Sequence, residues 1–242
     1  MHFDTHLFWE ALTSGTFAKG ALLTLGLTVS AHGAATILGF VLALGRGSRL
    51  RAVRWAVAVY NWLFRGTPTL LQLLIVWNAL PQLIPSLRNP WFTPFLAAFI
   101  TLSLNEAAYM AEIIRAGLLS VDPGQRLAAR ALGMTGPRIM RRVVIPQAVR
   151  IIIPPTGNEF ITLLKLTSLA SVISLRELLT VTEQSAAVSF KFAELFTAAL
   201  VYYLAMTSVL MFVQSRLERR FTWTSARTGR PRVLAKPLPL EH

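Results

Sequence analysis

The residues in this sequence that could do chemistry are polar groups set among apolar neighbours. Asn105, Glu106, Tyr109 and Glu112 fall in one apolar stretch and Asn158, Glu159 and Lys165 in another, closely followed by Thr167 and Ser168. At helical spacing Asn105, Tyr109 and Glu112 share a face, and Asn158 and Lys165 stand two turns apart on another. Ionisable groups in such surroundings are costly and mark functional pathways by default. The usual catalytic sets are missing. Four histidines, His2, His6, His32 and His242, never approach a His-x-x-x-His spacing, and the chain has no cysteine, so no metal site and no thiol nucleophile is expected. There is no Gly-x-x-x-x-Gly-Lys-Ser/Thr loop to cradle nucleotide phosphates and no Gly-x-Ser-x-Gly elbow. Any ATP must be held by another chain. A dyad of His32 with a serine can be imagined, but a lone histidine on a small-residue helix reads as packed or pore-lining.

The elements that must position these groups follow from composition. The 242 residues are 54% hydrophobic and 14% charged, with a mean hydropathy of +0.53, more apolar surface than a soluble fold can hide. Residues 20–45, 66–87, 89–105 and 195–215 contain no Asp, Glu, Lys or Arg, and about 20 helical residues cross a bilayer core. The expected architecture is all-α and polytopic, with five transmembrane helices. The first runs over about 19–45, with Gly26, Ser30 and Gly33 as its close-packing face. A second, kinked or restarted at Pro68, runs to about residue 80. A third begins near Trp91 and ends before Asp122-Pro123-Gly124. The fourth, within 143–174, is broken by Pro146, Pro154 and Pro155, and the fifth covers about 192–216. The chain thus divides into an extracytoplasmic segment, 1–18, a membrane domain, 19–216, and a basic cytoplasmic tail, 217–242, whose Leu240-Glu241-His242 reads as the start of a tag. The N-terminus lacks a basic region ahead of a short apolar core, so the first span reads as retained.

Charge sets the orientation. Residues 46–54, 120–142 and 216–242 carry four, five and seven positive charges, whereas the opposite side holds only Lys19, Arg88, Arg176 and Lys191. By the positive-inside rule the N-terminus lies outside and the C-terminus in the cytoplasm. The net charge of +13 therefore reports topology, with attraction to anionic membrane lipids as a secondary effect; no nucleic acid is implied. Within the cytoplasmic connection at about 122–142, an Ala-rich helix is stopped by Gly133, a left-handed C-cap, and Thr135-Gly136-Pro137 starts another. Small side chains on such an elbow let another protein approach closely, although an amphipathic connector lying on the membrane has the same pattern.

That connection carries a family resemblance. Asp122-Pro123-Gly124-Gln125, Ala128-Ala129-Arg130-Ala131-Leu132-Gly133 and Arg141-Arg142-Val143-Val144-Ile145-Pro146-Gln147-Ala148 resemble the EAA loop of type I ABC-importer permeases, in the polar amino acid uptake branch. Phe64-Arg65-Gly66-Thr67-Pro68, Leu104-Asn105-Glu106-Ala107-Ala108-Tyr109-Met110-Ala111-Glu112, Pro154-Pro155-Thr156-Gly157-Asn158-Glu159-Phe160 and Thr167-Ser168-Leu169-Ala170-Ser171 match in the same order. The resemblance implies a permease of a bacterial inner membrane, not an enzyme. Its partners would be a second permease subunit, identical or homologous, two ATP-binding cassette subunits holding ATP and magnesium, and an extracytoplasmic amino acid-binding protein; this chain would hold no cofactor. Leu127, Ala128, Ala129, Ala131, Leu132 and Gly133 would be the coupling helix and its turn, seated on the ATPase. For a zwitterionic amino acid, Lys165 with the Thr167 and Ser168 hydroxyls would take the carboxylate, with Asn105 and Tyr109 orienting the rest and Asn158 and Glu159 along the path. Alternatively, Glu159 and Lys165 join an interhelical network that fixes the dimer. Glu112 and Arg115 read as a gate or structural ion pair. Two positions depart from the family: Leu127 replaces the first acid of the loop motif, and Leu166 stands where an aspartate commonly follows the lysine. The latter disfavours a cationic substrate side chain and leaves open a partner permease contributing little to binding. A secondary transporter would show paired halves, and no internal repeat is visible.

Overall fold

The computed structural model describes residues 3–222. The basic tail beyond residue 222, with its tag-like end, and His2 and His242 lie outside them. Among the described residues every element is helical, as the sequence led one to expect. Helix α1, Thr5–Thr13, is capped by Asp4, whose Oδ1 accepts from Leu7 N at 3.1 Å. Ser14 then caps α2, Gly15–Arg46, which starts earlier than the apolar run and ends at Gly47. The amphipathic α3, Arg51–Gly66, stops where Thr67 is extended ahead of Pro68, and α4, Thr69–Leu74, restarts the chain. A π-helical turn, Ile75–Ala79, joins α4 to α5, Leu80–Leu83. Thr93 caps α6, Pro94–Leu119, which leads directly into the short α7, Pro123–Ala131, and α8, Gly136–Ile139. A second π-helical turn, Met140–Val144, feeds α9, Ile145–Leu166, which stays helical through Pro154 and Pro155. A 3-10 stretch, Thr167–Ile173, precedes α10, Leu178–Ser189, and α11, Phe192–Thr222, closes the described chain.

A helical stretch stands at each of the five expected places. Gly15–Arg46 and Phe192–Arg220 are each long and apolar enough to cross a membrane, and Gly136–Ile173 with Leu178–Ser189, bent by 48°, is so only when taken as one pair, a broken span or a re-entrant loop. Helix α6 has 26 residues, long enough at about 1.5 Å per residue, but polar groups interrupt its apolar character. The apolar stretch Thr69–Leu83 is shorter and continues α3 beyond the break at Pro68.

The most extensive helix contact is α2 against α6. The packed face of α2 is Gly20, Thr24, Ala31, Ala35, Gly39 and Ala43, not the expected Gly26, Ser30 and Gly33. Nothing lies within 4 Å of the Cβ positions of Gly26 or Gly33, whereas at Gly39 a Cβ would stand 2.6 Å from Met110 Cβ and 3.1 Å from Ala107 O. Only a hydrogen fits there, and the two backbones approach as small residues allow. At the other end of α2, the fully enclosed Glu177 ties three helices. Its Oε1 accepts from Thr180 N at 2.8 Å and its Oε2 from Leu179 N at 2.9 Å, capping α10. The same Oε2 takes the Thr24 and Tyr203 hydroxyls, at 3.4 and 3.2 Å. A buried carboxylate needs such donors.

Candidate functional site: a polar seam and an exposed elbow

The helix break between α3 and α4 frees backbone carbonyls that must find donors inside an apolar bundle. Asn105 and Gln72, both buried, supply them. Asn105 Nδ2 donates to Phe64 O and to Gln72 Oε1, each at 3.0 Å. Gln72 Nε2 donates to Phe64 O at 3.0 Å and to Thr67 Oγ1 at 2.8 Å. The Asn105 amide is thus committed to the break, one turn from Tyr109, whose ring carries the Arg65 guanidinium 5.3 Å from its centroid, a cation–π distance. Glu112 closes the row. Its Oε1 accepts from Asn61 Nδ2 at 2.9 Å, and its Oε2 lies 3.0 Å from Arg115 Nη2.

Between Asn105 and the α2 seam lies a pair that spacing within one helix does not reveal. His32 Nδ1 stands 3.3 Å from Glu106 Oε1, with side-chain exposures of 11% and 2%. Neither atom has a hydrogen-bond partner among the described residues. A carboxylate enclosed without a donor is costly, and the facing imidazole is placed to supply one. His32 packs edge-on against Phe160 at 5.1 Å and lines a groove of about 390 Å³ with Thr156 and Gln214. Through Phe160, α9 joins α2 and α6 at this pair. The sequence marks the two separately, His32 alone in a long uncharged run and Glu106 among the polar groups of another stretch, but nothing in it pairs them.

On α9, Asn158 and Lys165 are exposed and Glu159 is half-buried. Asn158 Oδ1 accepts from Gln214 Nε2 at 2.9 Å. Ser168 stands beside Lys165, its Oγ donating to Lys165 O at 2.7 Å. Thr167 does not join them: it is fully enclosed and donates to Leu164 O at 2.7 Å. The seven expected pathway residues therefore divide into Asn105 and Tyr109 at the helix break, the exposed Asn158 and Lys165 and half-buried Glu159 of α9 with Ser168 just beyond its end, and Thr167 in the packing. Among the described residues no hydrogen bond joins the first group to the second, and no ion pair joins Glu159 to Lys165.

The elbow has the opposite character. Asp122 Oδ1 accepts from Gly124 N at 2.7 Å and opens α7. Gly133 closes it with φ +75°, Gly133 N donating to Arg130 O at 2.9 Å and Met134 N to Ala129 O at 3.1 Å, a left-handed C-terminal cap. Ala129 is buried against Ile139, Val144 and Ala148, which fixes the elbow to α8 and α9. Arg126 Nη2 donates to Leu118 O at 2.6 Å, which fixes it to α6. Ala128 and Ala131 face outward, and Leu127 and Leu132 are 63% and 83% exposed. Isolated exposed leucines are ordinary, but four apolar residues on one rigid elbow form a contact surface.

Comparison with known proteins gives a concordant result. Residues 35–223 match the model of the binding-protein-dependent transport system inner membrane component family. The chain is 40% identical over 243 residues to the arginine transport system permease protein ArgU of Corynebacterium glutamicum, covering 94% of this chain and 76% of that protein. It is 35% identical over 220 residues to the glutamine transport system permease protein GlnP of Escherichia coli, covering 91% and 98%. The crystal structure of an amino acid ABC transporter with histidines superposes with a TM-score of 0.83 at 36% identity, over 91% of this chain and 100% of that one.

Proposed function

From the premise that this chain belongs to the binding-protein-dependent transport system inner membrane component family and is an amino acid ABC importer permease, we propose that it moves a polar amino acid across the cytoplasmic membrane by alternating access. ATP is hydrolysed on two partner subunits, which hold the nucleotide and magnesium; this chain contributes the path and the lever. The observation that carries the reading is the elbow: an exposed apolar surface closed by a left-handed glycine and anchored to α6 through Arg126 and Leu118. Closure of two ATPases against such an elbow moves α6 and α9 as rigid bodies. A second permease subunit completes the path, and an extracytoplasmic binding protein delivers the amino acid. The N-terminus lies outside and the C-terminus in the cytoplasm of a bacterial inner membrane.

Of the pathway candidates, Tyr109, Asn158, Glu159, Lys165 and Ser168 meet the substrate, while Asn105 and Thr167 hold the backbone that presents them. The placement of those two favours a second reading in one respect: with fewer free polar groups, this chain can be the pathway-shaping half of a heterodimer. Both readings are tested by purifying the chain with its co-expressed ATPase and partner permease and measuring amino acid uptake into vesicles with binding protein supplied. ATP-dependent uptake is expected; uptake driven by an ion gradient without ATP would overturn the importer mechanism. Uptake insensitive to Lys165→Met and Asn158→Ala would assign recognition to the partner permease.

A further inference from the structure

At the end of the bundle that carries the elbow, α2, α6 and α7 converge on a cavity of about 420 Å³ lined by Arg46, Arg115 and Arg126 above an apolar floor of Leu44, Leu118 and Met140. The charges there are not balanced. The one carboxylate facing them, Glu112, is taken by Arg115 at 3.0 Å and only approaches Arg46, at 4.0 Å. Arg126 spends Nη2 on Leu118 O, at 2.6 Å, and its Nε is enclosed with no hydrogen-bond partner. Part of this positive charge offsets the carbonyl ends of α2 and α6. Among the described residues, three guanidinium groups against one carboxylate still leave an excess of about two charges. A phosphate-type oxyanion supplies the missing countercharge, since guanidinium pairs with phosphate in fork geometry.

We infer that Arg46, Arg115 and Arg126 form a site for the phosphate of an anionic phospholipid headgroup, held where two spans meet the elbow. The lipid source follows from the lining: Leu44 of α2, Leu118 of α6 and Met140 of the π-helical turn border the same cavity as the arginines, a place for the start of an acyl chain, and basic pockets between spans on the cytoplasmic side take such headgroups. The bound headgroup ties the ends of α2 and α6 to α7, so it stiffens the joint through which the elbow acts. The inference rests on the cytoplasmic placement of the elbow in the reading above.

The test is native mass spectrometry of the assembled transporter extracted from bilayers of phosphatidylcholine with phosphatidylglycerol, alongside ATP-driven uptake and a reporter fusion at Gly136. Arg126→Gln and Arg46→Gln should each lower retained phosphatidylglycerol about five-fold, the effect of about one basic residue at an anionic lipid surface. Arg51→Gln, an exposed arginine outside the cavity, should leave it unchanged. Equal retention in all forms, or an equal loss in the Arg51 variant, would overturn the site. Displacement of the lipid by millimolar inorganic phosphate would overturn the lipid source and assign the cavity to the free anion. An extracytoplasmic signal at Gly136 would sink the topology whatever the lipid does, and uptake without ATP the importer reading.

Discussion

Along the α2–α6 seam Ala31, Ala35, Ala97, Ala98, Ala107 and Ala108 have no exposed surface at all, whereas shortly after α6 ends Leu127 and Leu132 are 63% and 83% exposed. The same helix serves both regions, and the difference lies in what each must do. Inside the bundle, small side chains bring backbones into contact, and the freed carbonyls of Phe64 and Thr67 at the α3–α4 break are met by the amides of Asn105 and Gln72. That produces a closely packed, internally satisfied body. On the elbow, apolar side chains are held outward by a cap and two anchors, which leaves an apolar surface uncovered within this chain. Stiffness belongs to the seam and incompleteness to the elbow.

The sharpest way to break this contrast is Gly39→Leu. A Cβ there meets Met110 Cβ at 2.6 Å and Ala111 N at 3.0 Å, and overpacking against backbone costs about 3 kcal/mol or more. The permease should fail to accumulate in folded form, while Gly26→Leu, in open space, accumulates normally; equal yields in detergent extracts would show that the seam is not tight. Next comes the His32–Glu106 pair. His32→Leu or Glu106→Leu leaves its partner enclosed and unsatisfied, at a cost of about 1–3 kcal/mol, and the double variant should melt closer to the parent than either single one. Additive losses in thermal unfolding would mean that the two are not coupled.

The elbow variants should cost less stability and more function. Gly133→Val forces a β-branched residue into φ +75°, a local strain of about 1–2 kcal/mol. Membrane insertion should survive, with uptake and recovery of the ATPase in pull-downs both lost; normal transport by this variant would remove the coupling role. The smallest effect on stability is expected for Lys165→Met, an exposed position where surface changes stay within about 0.5 kcal/mol. Its effect should appear only in uptake, and Leu166→Asp should shift competitive uptake towards cationic amino acids. Unchanged selectivity in both would place recognition away from this end of α9.

Much of the frame was legible because periodicity and charge act locally. The long uncharged runs mark α2 and α11, Pro68 does restart a helix, and Gly133 does adopt the left-handed turn that its place after an Ala-rich stretch implies. What was not legible depends on partners far along the chain. Both sides of α2 carry small residues, and only the position of α6 decides that Gly39, not Gly26 or Gly33, faces the seam. His32 and Glu106 are unremarkable until two helices bring them together, and the Glu177 network joins residues from three helices that no local pattern links. Nor does helical spacing reveal that the Asn105 amide bonds to a broken helix and the Thr167 hydroxyl to its own backbone.

The π-helical turn Met140–Val144 fixes the phase between elbow and span. Such a turn holds one residue more than an α turn, and one residue corresponds to about 100° of rotation. Deleting a single residue there, Val143 for example, would let the chain run as a continuous α-helix while turning the whole of α9 by about that angle relative to Ala129 and the elbow. Asn158 and Lys165 would leave the accessible side together, and new residues would take their place, with helix content and span length almost unchanged. One-residue length variation at this turn is therefore a route by which a permease of this kind can exchange the exposed face of α9 without redesigning either that helix or the elbow.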